Sequence, residues 1–332
     1  MMVAAAARRQ TEGLQPFDPF RHLGAVTDLI SQAFSEEVGP AARHTLRRMR
    51  RVSRWGGLGL WLAGVESRAL GASGFIWIED GEVVGNLSLR RAAFPGGWMI
   101  GNVAVAPSRR GRGIGRALME AAVDTVQERR GTWIGLEVRE DNAVARGLYE
   151  HMGFKVVGTM VELLRPEGQP WQMLDLRPAE LRRAEASESR TLYRLAQEGL
   201  TRDHREVLEV RRSVYRAGWE ATIGAWLEGV RESWQIAERD DEAVGGVRVS
   251  TRWLSRWHRV EMVVRQDRLE DLGPRLVAAA VDELARRRPW ETSALLPGPQ
   301  QALEPVFAQA GFRRLRRLAQ MRLTLGRRIE VH

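Results

Sequence analysis

Residues Arg110 to Gly115 read RGRGIG, between an apolar run, GNVAVAP, and a run with helical spacing, MEAAVDTV. A turn that leaves a strand and opens a helix presents backbone amides with no partner inside the helix. Those amides carry the positive end of the helix dipole, which suits an anion. Gly111, Gly113 and Gly115 remove the side chains that would hold a diphosphate off that backbone, and Arg110, Arg112 and Arg116 add charge-assisted contacts. The spacing is not G-x-G-x-x-G and no G-K-[ST] follows, so neither of two commoner phosphate loops is present. Taken alone, the segment fits a glycine-rich turn as well as a phosphate cradle.

Glu137 lies in WIGLEV, where strand alternation puts Ile134, Leu136 and Val138 on one face and Trp133, Gly135 and Glu137 on the other. A carboxylate in mid-strand beside a tryptophan predicts a desolvated group suited to act as a base, or else a partner for a neighbouring arginine. Asn142 begins the next helix and reads as its N-cap. Tyr149, in GLYEHMGF, reads from its surroundings as a half-buried aromatic packing that helix onto a sheet. Glu36 and Glu37 are fallback bases or acceptor-site residues. The six histidines (22, 44, 151, 204, 258, 332) show no ligand spacing, so no metal site is expected, and His151 reads as a helix-surface residue.

The elements that must position these residues follow from periodicity. Residues 19–54 have helical spacing, and GFIWIEDGEVVGNLSLR gives two strands about an Asp80-Gly81 hairpin turn. WMIGNVAVA is a strand. Residues 113–129 form a helix with Ile114, Leu118, Ala121, Ala122 and Val126 on one face. WIGLEV is a strand, Ala143 to Met152 a helix, and KVVGTMVELL and WQMLDL closing strands. Helices then fill residues 187–231, and strands follow at 233–239, 243–251 and 258–265. A helix at 272–287, a strand at 291–296, a helix at 300–310 and a strand from 313 complete the chain.

The order of elements occurs twice because the sequence does. Gly115 and Leu118 match Gly273 and Leu276 at an offset of 158, and LYEHMGF matches VFAQAGF at the same offset, Tyr149 against Phe307. Upstream, Val84-Gly85 matches Val244-Gly245 at an offset of 160. The chain therefore reads as a flexible tail over residues 1–13 and two copies of one fold, 14–176 and 177–332, joined near residues 174–183.

At 332 residues the chain exceeds what one core usually organises, and 44% hydrophobic with 28% charged residues is ordinary for a soluble globular protein. With no cysteine there is no disulfide, thiolate ligand or cysteine nucleophile. No apolar run approaches 18 residues and MMVAAAARRQ lacks a secretory core, so the expectation is a cytoplasmic protein without a membrane partner. A net charge of +9 invites nucleic acid, yet Lys155 is the single lysine and the arginines are interleaved with acids through both halves. That pattern reads as a solvated surface.

In this setting the turn resembles the GNAT superfamily of acyl-coenzyme A N-acyltransferases, whose signature Arg/Gln-x-x-Gly-x-Gly/Ala is met by Arg110 to Gly115. A second signature is met by LEVREDNAVARGLYEHMGF, Leu136 to Phe154, and the resemblance spans residues 14–176. It implies an α+β fold, a splayed mixed α/β sheet flanked by helices, with acetyl-CoA as cosubstrate and no metal. The pantetheine arm would lie between the NVAV and GLEV strands along Val103, Ala104 and Val105, with backbone contacts from Val103 and Val105. The diphosphate would rest on the turn of residues 110–116, Ile114 included. An amine attacks a thioester directly, which needs no protein nucleophile and suits a chain without cysteine. The reaction needs an amine proton removed, a carbonyl polarised and a thiolate protonated. The resemblance implies the backbone N–H near Val103 for the second role and Tyr149 as general acid for the third. The use of only three tyrosines beside twelve tryptophans agrees with a specific task for Tyr149. The resemblance also brings Asn142 near the pantetheine. The twelve-residue interval from Glu137 to Tyr149 is similar to that of protein N-terminal acetyltransferases in the superfamily, with Glu137 as base.

The second copy loses each chemical position. Gly111, Arg112 and Gly113 become Leu269, Glu270 and Asp271; Tyr149 becomes Phe307, Glu137 becomes Leu295 and Asn142 becomes Gln300. Carboxylates would face a diphosphate, so this copy is expected to be non-catalytic, a scaffold, an acceptor-site wall or a partner surface. The leading expectation is an N-acetyltransferase acting on a primary amine, of a small molecule or a peptide N-terminus. A CoA-binding sensor or interaction module is the alternative, and nucleic-acid binding through Arg313, Arg314, Arg316 and Arg317 ranks last. Arg43, Arg47, Arg50 and Arg54 form one stripe of residues 43–54, an exposed basic face or a lure for acidic acceptors. Acyl length and oligomeric state are left open.

Overall fold

The computed structural model describes residues 12–33, 73–227, 229–240 and 242–326. Glu36, Glu37, His44, His332 and the stripe of Arg43, Arg47, Arg50 and Arg54 lie outside the described residues, as does the tail up to residue 11. The described residues fall into two compact units. Unit 1 lies within Met1–Val138, Asn142–Lys155 and Met321–His332, and unit 2 within Arg139–Asp141 and Val156–Gln320.

Unit 1 begins with β1 (Gly13–Pro16), so Gly13, expected in the tail, is already a strand residue. Then follow α1 (Pro19–Ala33), β2 (Ser73–Glu79), β3 (Glu82–Arg91), β4 (Gly97–Val105), α2 (Ile114–Glu128), β5 (Trp133–Arg139) and α3 (Ala143–His151). The sheet order is β1-β2-β3-β4-β5. All neighbours are antiparallel except β4 and β5, which run parallel, giving the mixed sheet. Helix α2 buries Ile114, Leu118, Met119, Ala122 and Val126 on the sheet, the stripe that a 3.6-residue period selects. It can sit that close because Gly85 has no side chain. A Cβ there would lie 2.9 Å from Ile114 and 3.1 Å from Leu118.

Unit 2 runs from β6 (Lys155–Arg165) and β7 (Arg182–Arg183) through α4 (Ser189–Leu195), α5 (Arg202–Val207) and α6 (Trp219–Leu227). It continues with β8 (Val230–Arg231), β9 (Trp234–Arg239), β10 (Glu242–Arg252), β11 (Trp257–Val264), α7 (Leu269–Ala285), β12 (Glu291–Pro297), α8 (Glu304–Gln309) and β13 (Arg313–Thr324). Its order is β6-β12-β11-β10-β9-β7, with β8 on β10 and the parallel pair β11–β12 in the place of β4–β5. Gly245 repeats the role of Gly85: a Cβ there would lie 2.9 Å from Leu272 and 3.1 Å from Leu276 of α7. The repeat is thus one of packing as well as sequence.

Four elements depart from the sequence expectation. WQMLDL forms no strand: Trp171 and Leu174 both pack on the unit 2 core, a spacing of three that two-residue alternation does not provide. The helical run over 187–231 is cut into α4, α5, a 3-10 turn (Arg212–Tyr215) and α6, with Gly199 and Gly218 at positive φ in the breaks. Residues 300–310 are a 3-10 turn (Gly298–Leu303) followed by α8, because Pro305 has no N–H to extend one continuous helix. Lastly, each unit takes its closing strand from the other copy. In unit 2, β6 pairs with β12, Arg165 opposite Thr292 through Met160 opposite Pro297. Unit 1 contains the end of β13, where the Leu325 N–H donates to the Thr132 carbonyl at 2.9 Å.

Candidate functional site

The site is built where β4 and β5 part. Their parallel register runs from Gly97–Trp133 to Ile100–Leu136 and stops. The next residues, Gly101 and Asn102 on one strand and Glu137 on the other, are exposed. On the opposite side, the β3–β4 register jumps from Asn86–Ala104 to Ser88–Gly101, so three residue steps on β4 oppose two on β3. That is a β-bulge, and neither Asn102 nor Val103 falls in a ladder register with β3 or β5. Asn102 takes φ +52°, a conformation that asparagine tolerates better than most residues. The bulge is braced from β3: Asn86, 2% exposed, donates from Nδ2 to the Asn102 carbonyl at 2.8 Å. Asn102 Nδ2 in turn donates to Ser88 Oγ at 3.2 Å. Neither asparagine was singled out from the sequence; the signal was Gly101-Asn102, two turn formers inside an otherwise apolar strand.

Beyond Val105 a 3-10 turn (Pro107–Arg109) leads into α2. Gly111 and Gly113 have φ +76° and +81°, and a Cβ on either would meet nothing within 4 Å. Gly113 is the N-cap of α2, and among the described residues no side chain caps that helix, so its first-turn amides have no side-chain partner there. These features fit a diphosphate. A Cβ on Gly115 would be in ordinary contact, 3.7 Å from Leu148 and 3.8 Å from Val105. The arginines of this segment each have a partner within the protein. Arg112 pairs with Glu79 at 2.9 Å, Arg116 reaches Glu120 at 3.5 Å, and Arg110 Nε donates to the Val105 carbonyl at 3.3 Å. Arg109 joins Asp80 at 2.8 Å, so the turn is tied to the β2–β3 hairpin.

Helix α3 carries the remaining candidates. Asn142 is its N-cap, with Oδ1 accepting from the Ala145 N–H at 3.1 Å. Tyr149 is 5% exposed and packs on Phe154, ring centroids 6.1 Å apart. Burial pushes its phenol up to about 12, and among the described residues its hydroxyl has no hydrogen-bond partner. A phenol in that state keeps its proton at neutral pH and can donate it to an incoming anion. Glu137 is exposed, not screened by Trp133 as the strand reading expected. The cause is the splay: it lies one residue beyond the last β4–β5 pair.

Unit 2 closes the equivalent place. The β10–β11 register is unbroken from Gly245–Val264 to Arg252–Trp257, with no bulge. The counterpart of Asn86 is Gly246, which leaves no brace. By register Met262 corresponds to Val103, and its carbonyl accepts from Gln300 Nε2 at 3.1 Å, the residue replacing Asn142. Leu303 is buried against Gly273, 2.7 Å from where a Cβ would be. Arg248 and Glu261, ion-paired at 2.5 Å, stand at the register of Ser88 and the open Gly101.

Residues 29–154 match the acetyltransferase (GNAT) family. Over 79 residues it is 39% identical to streptothricin acetyltransferase of Streptomyces lavendulae, covering 24% of this chain and 42% of that protein. Over 53 residues it is 45% identical to the [ribosomal protein bS18]-alanine N-acetyltransferase of Escherichia coli (strain K12), covering 16% and 36%. The chain thus spans less than half the length of these relatives. A solved tandem GNAT protein from the clavulanic acid biosynthesis pathway is similar over 94% of this chain and 98% of its own, at 18% identity and a TM-score of 0.56. That likeness covers both copies and concerns the fold.

Proposed function

We propose that the protein is an acetyl-CoA-dependent N-acetyltransferase whose chemistry resides in unit 1. The observation that carries this reading is the braced bulge at Asn102–Val103, beside the strand splay and above the uncapped turn of α2. Gly111 to Arg116 would hold the diphosphate with backbone amides. The backbone at Val103, Ala104 and Val105 would align the pantetheine arm. Acetyl-CoA supplies the activated thioester carbonyl. The Val103 N–H, outside both ladders, would donate to that carbonyl oxygen and polarise it. Glu137, exposed one residue beyond the last β4–β5 pair, would take the proton of the attacking ammonium. Tyr149 would give its proton to the departing thiolate. Asn142 caps α3 and so fixes the helix that presents Tyr149.

The acceptor is a primary amine, of a small molecule or a peptide N-terminus; the relatives' names carry streptothricin and an alanine of ribosomal protein bS18. Unit 2 is read as non-catalytic, its cleft filled by Gln300, Leu303 and the Arg248–Glu261 pair. Among the described residues no helix is long and apolar enough to cross a membrane.

The test is thiol release from acetyl-CoA by the full chain over a panel of amines and N-terminal peptides. Tyr149→Phe is expected to lower kcat about a hundredfold with acetyl-CoA binding retained. Binding without turnover for every amine would replace this reading with a CoA sensor.

A further inference from the structure

Glu79 ends β2, and its carboxylate is a junction for three donors. Oε1 accepts from the Trp77 indole N–H at 3.2 Å. Oε2 accepts from Arg112 Nη1 at 2.9 Å and lies 3.5 Å from Arg109 Nε. Arg109 also donates from Nη2 to Asp80, the next residue of the hairpin, at 2.8 Å. The Glu79 side chain is 22% exposed, against 52% for Arg112. The two arginines stand on either side of Gly111, one ending the 3-10 turn and one just before the Gly113 N-cap.

That placement meets a need of the turn. Gly111 and Gly113 both take positive φ, and nothing packs within 4 Å of where a Cβ would stand on either. Glycine permits such a conformation without enforcing it, and a loop that must be ordered as its ligand binds loses affinity. Two ion pairs on one carboxylate supply the order that the glycines do not.

The second copy provides an internal control. Both copies tie the end of a strand to the neighbouring hairpin by backbone. The Ala106 N–H donates to the Val84 carbonyl at 2.8 Å, and the Arg265 N–H to the Val244 carbonyl at 2.9 Å. The side-chain clamp is not repeated. In unit 1 Glu79 lies opposite Glu82 and Trp77 opposite Gly85; at the matching registers of unit 2, Arg239 lies opposite Glu242 and Ala237 opposite Gly245. An arginine and an alanine cannot form this junction, and they occur in the copy that has also lost the glycine turn.

We propose that Glu79 is a positioning residue for the coenzyme. Anchored by Trp77, it clamps Arg109 and Arg112 so that the amides of the turn are ordered before the diphosphate arrives. The inference rests on the reading of unit 1 as the acetyl-CoA site and adds a residue to it. It also fixes a sign. A carboxylate near a diphosphate repels it, so charge alone would make Glu79→Gln bind acetyl-CoA more tightly. Loss of the clamp makes the same variant bind more weakly.

The experiment compares the full-length wild type with Glu79→Gln, Arg112→Gln and the double variant. Acetyl-CoA affinity is read by calorimetry, and KM and kcat by thiol release. Glu79→Gln is expected to raise Kd and KM about fivefold and to leave kcat within about twofold. The double variant should bind no more weakly than Glu79→Gln, because the clamp is already broken in the single one. Glutamine keeps the shape and the acceptor for Trp77, so circular dichroism should match the wild type. Asp80→Asn is the second variant, on a side chain 77% exposed; it releases Arg109 and should also weaken binding, by a smaller factor. Equal or tighter binding by Glu79→Gln, or additive losses in the double variant, would overturn this inference and leave the acetyl-CoA site standing. A wild type that binds no acetyl-CoA would overturn both.

Discussion

Asn86 reaches from the middle of β3 and donates to the carbonyl of Asn102 at 2.8 Å, holding a β4 residue at φ +52°. This one bond separates the two copies more sharply than any charged residue. Where it exists the ladder bulges; where Gly246 replaces Asn86 the ladder runs straight through. The bulge is what removes Asn102 and Val103 from both ladders.

Asn86→Ala is therefore expected to lower kcat for thiol release about tenfold, the effect of losing one buried hydrogen bond. Acetyl-CoA affinity should change little, because the α2 turn is untouched. Steady-state kinetics with calorimetry checks this; full kcat in the variant would show that the bulge stands without its brace.

Tyr149, raised to about 12 by burial, gives two pH predictions. Rate should show no alkaline fall from a group near the ordinary tyrosine value of about 10. Stability should behave oppositely: a folded value above the unfolded one contributes fully below the unfolded value and is lost as pH rises towards the folded one. Between pH 8 and 11 the wild type should lose about 1 kcal/mol relative to Tyr149→Phe. Urea unfolding of both proteins at the two pH values is the measurement, and parallel behaviour would count against a buried phenol.

Glu137→Gln tests the base. The rate should fall at least about tenfold near neutral pH. The deficit should shrink as pH approaches the amine's own pKa, since free amine then needs no base. A deficit constant with pH would assign Glu137 to positioning the acceptor instead.

Gly85→Val and Gly245→Val form a matched pair. Each would push a helix off its sheet, with contacts starting at 2.9 Å, and overpacking of this kind costs about 1–3 kcal/mol. Gly85→Val should also weaken acetyl-CoA binding, because α2 carries the phosphate turn. Gly245→Val should not. Equal affinity in both variants would detach the turn from cofactor binding.

Much of this arrangement was legible in the sequence, and the limits have physical causes. Hydrophobic period gave α2, β5 and α3 nearly to their ends, and the repeat gave the second copy. The repeat's offset slips from 160 at Val84-Gly85 to 158 at Gly115. Val105 pairs with Gly85 one residue later than Val264 pairs with Gly245, so one of the two extra residues is the bulge. The other lies between Val105 and Gly115, in the phosphate turn. A single inserted residue does not alter composition, so a strand pattern hides it. The exchange of closing strands was equally hidden, since KVVGTMVELL and RRLRRLAQMRL read the same whichever edge they pair with. The exposure of Glu137 follows from strands that part, and alternation along one strand says nothing about where its neighbour leaves.

Titration of acetyl-CoA into the full chain, followed by a crystal structure of the saturated protein, is the most direct trial of the two-copy asymmetry. The expected outcome is one molecule per chain, its diphosphate on the amides of Gly111 to Arg116. Two molecules per chain, or one seated against Leu269 to Gly273, would contradict it.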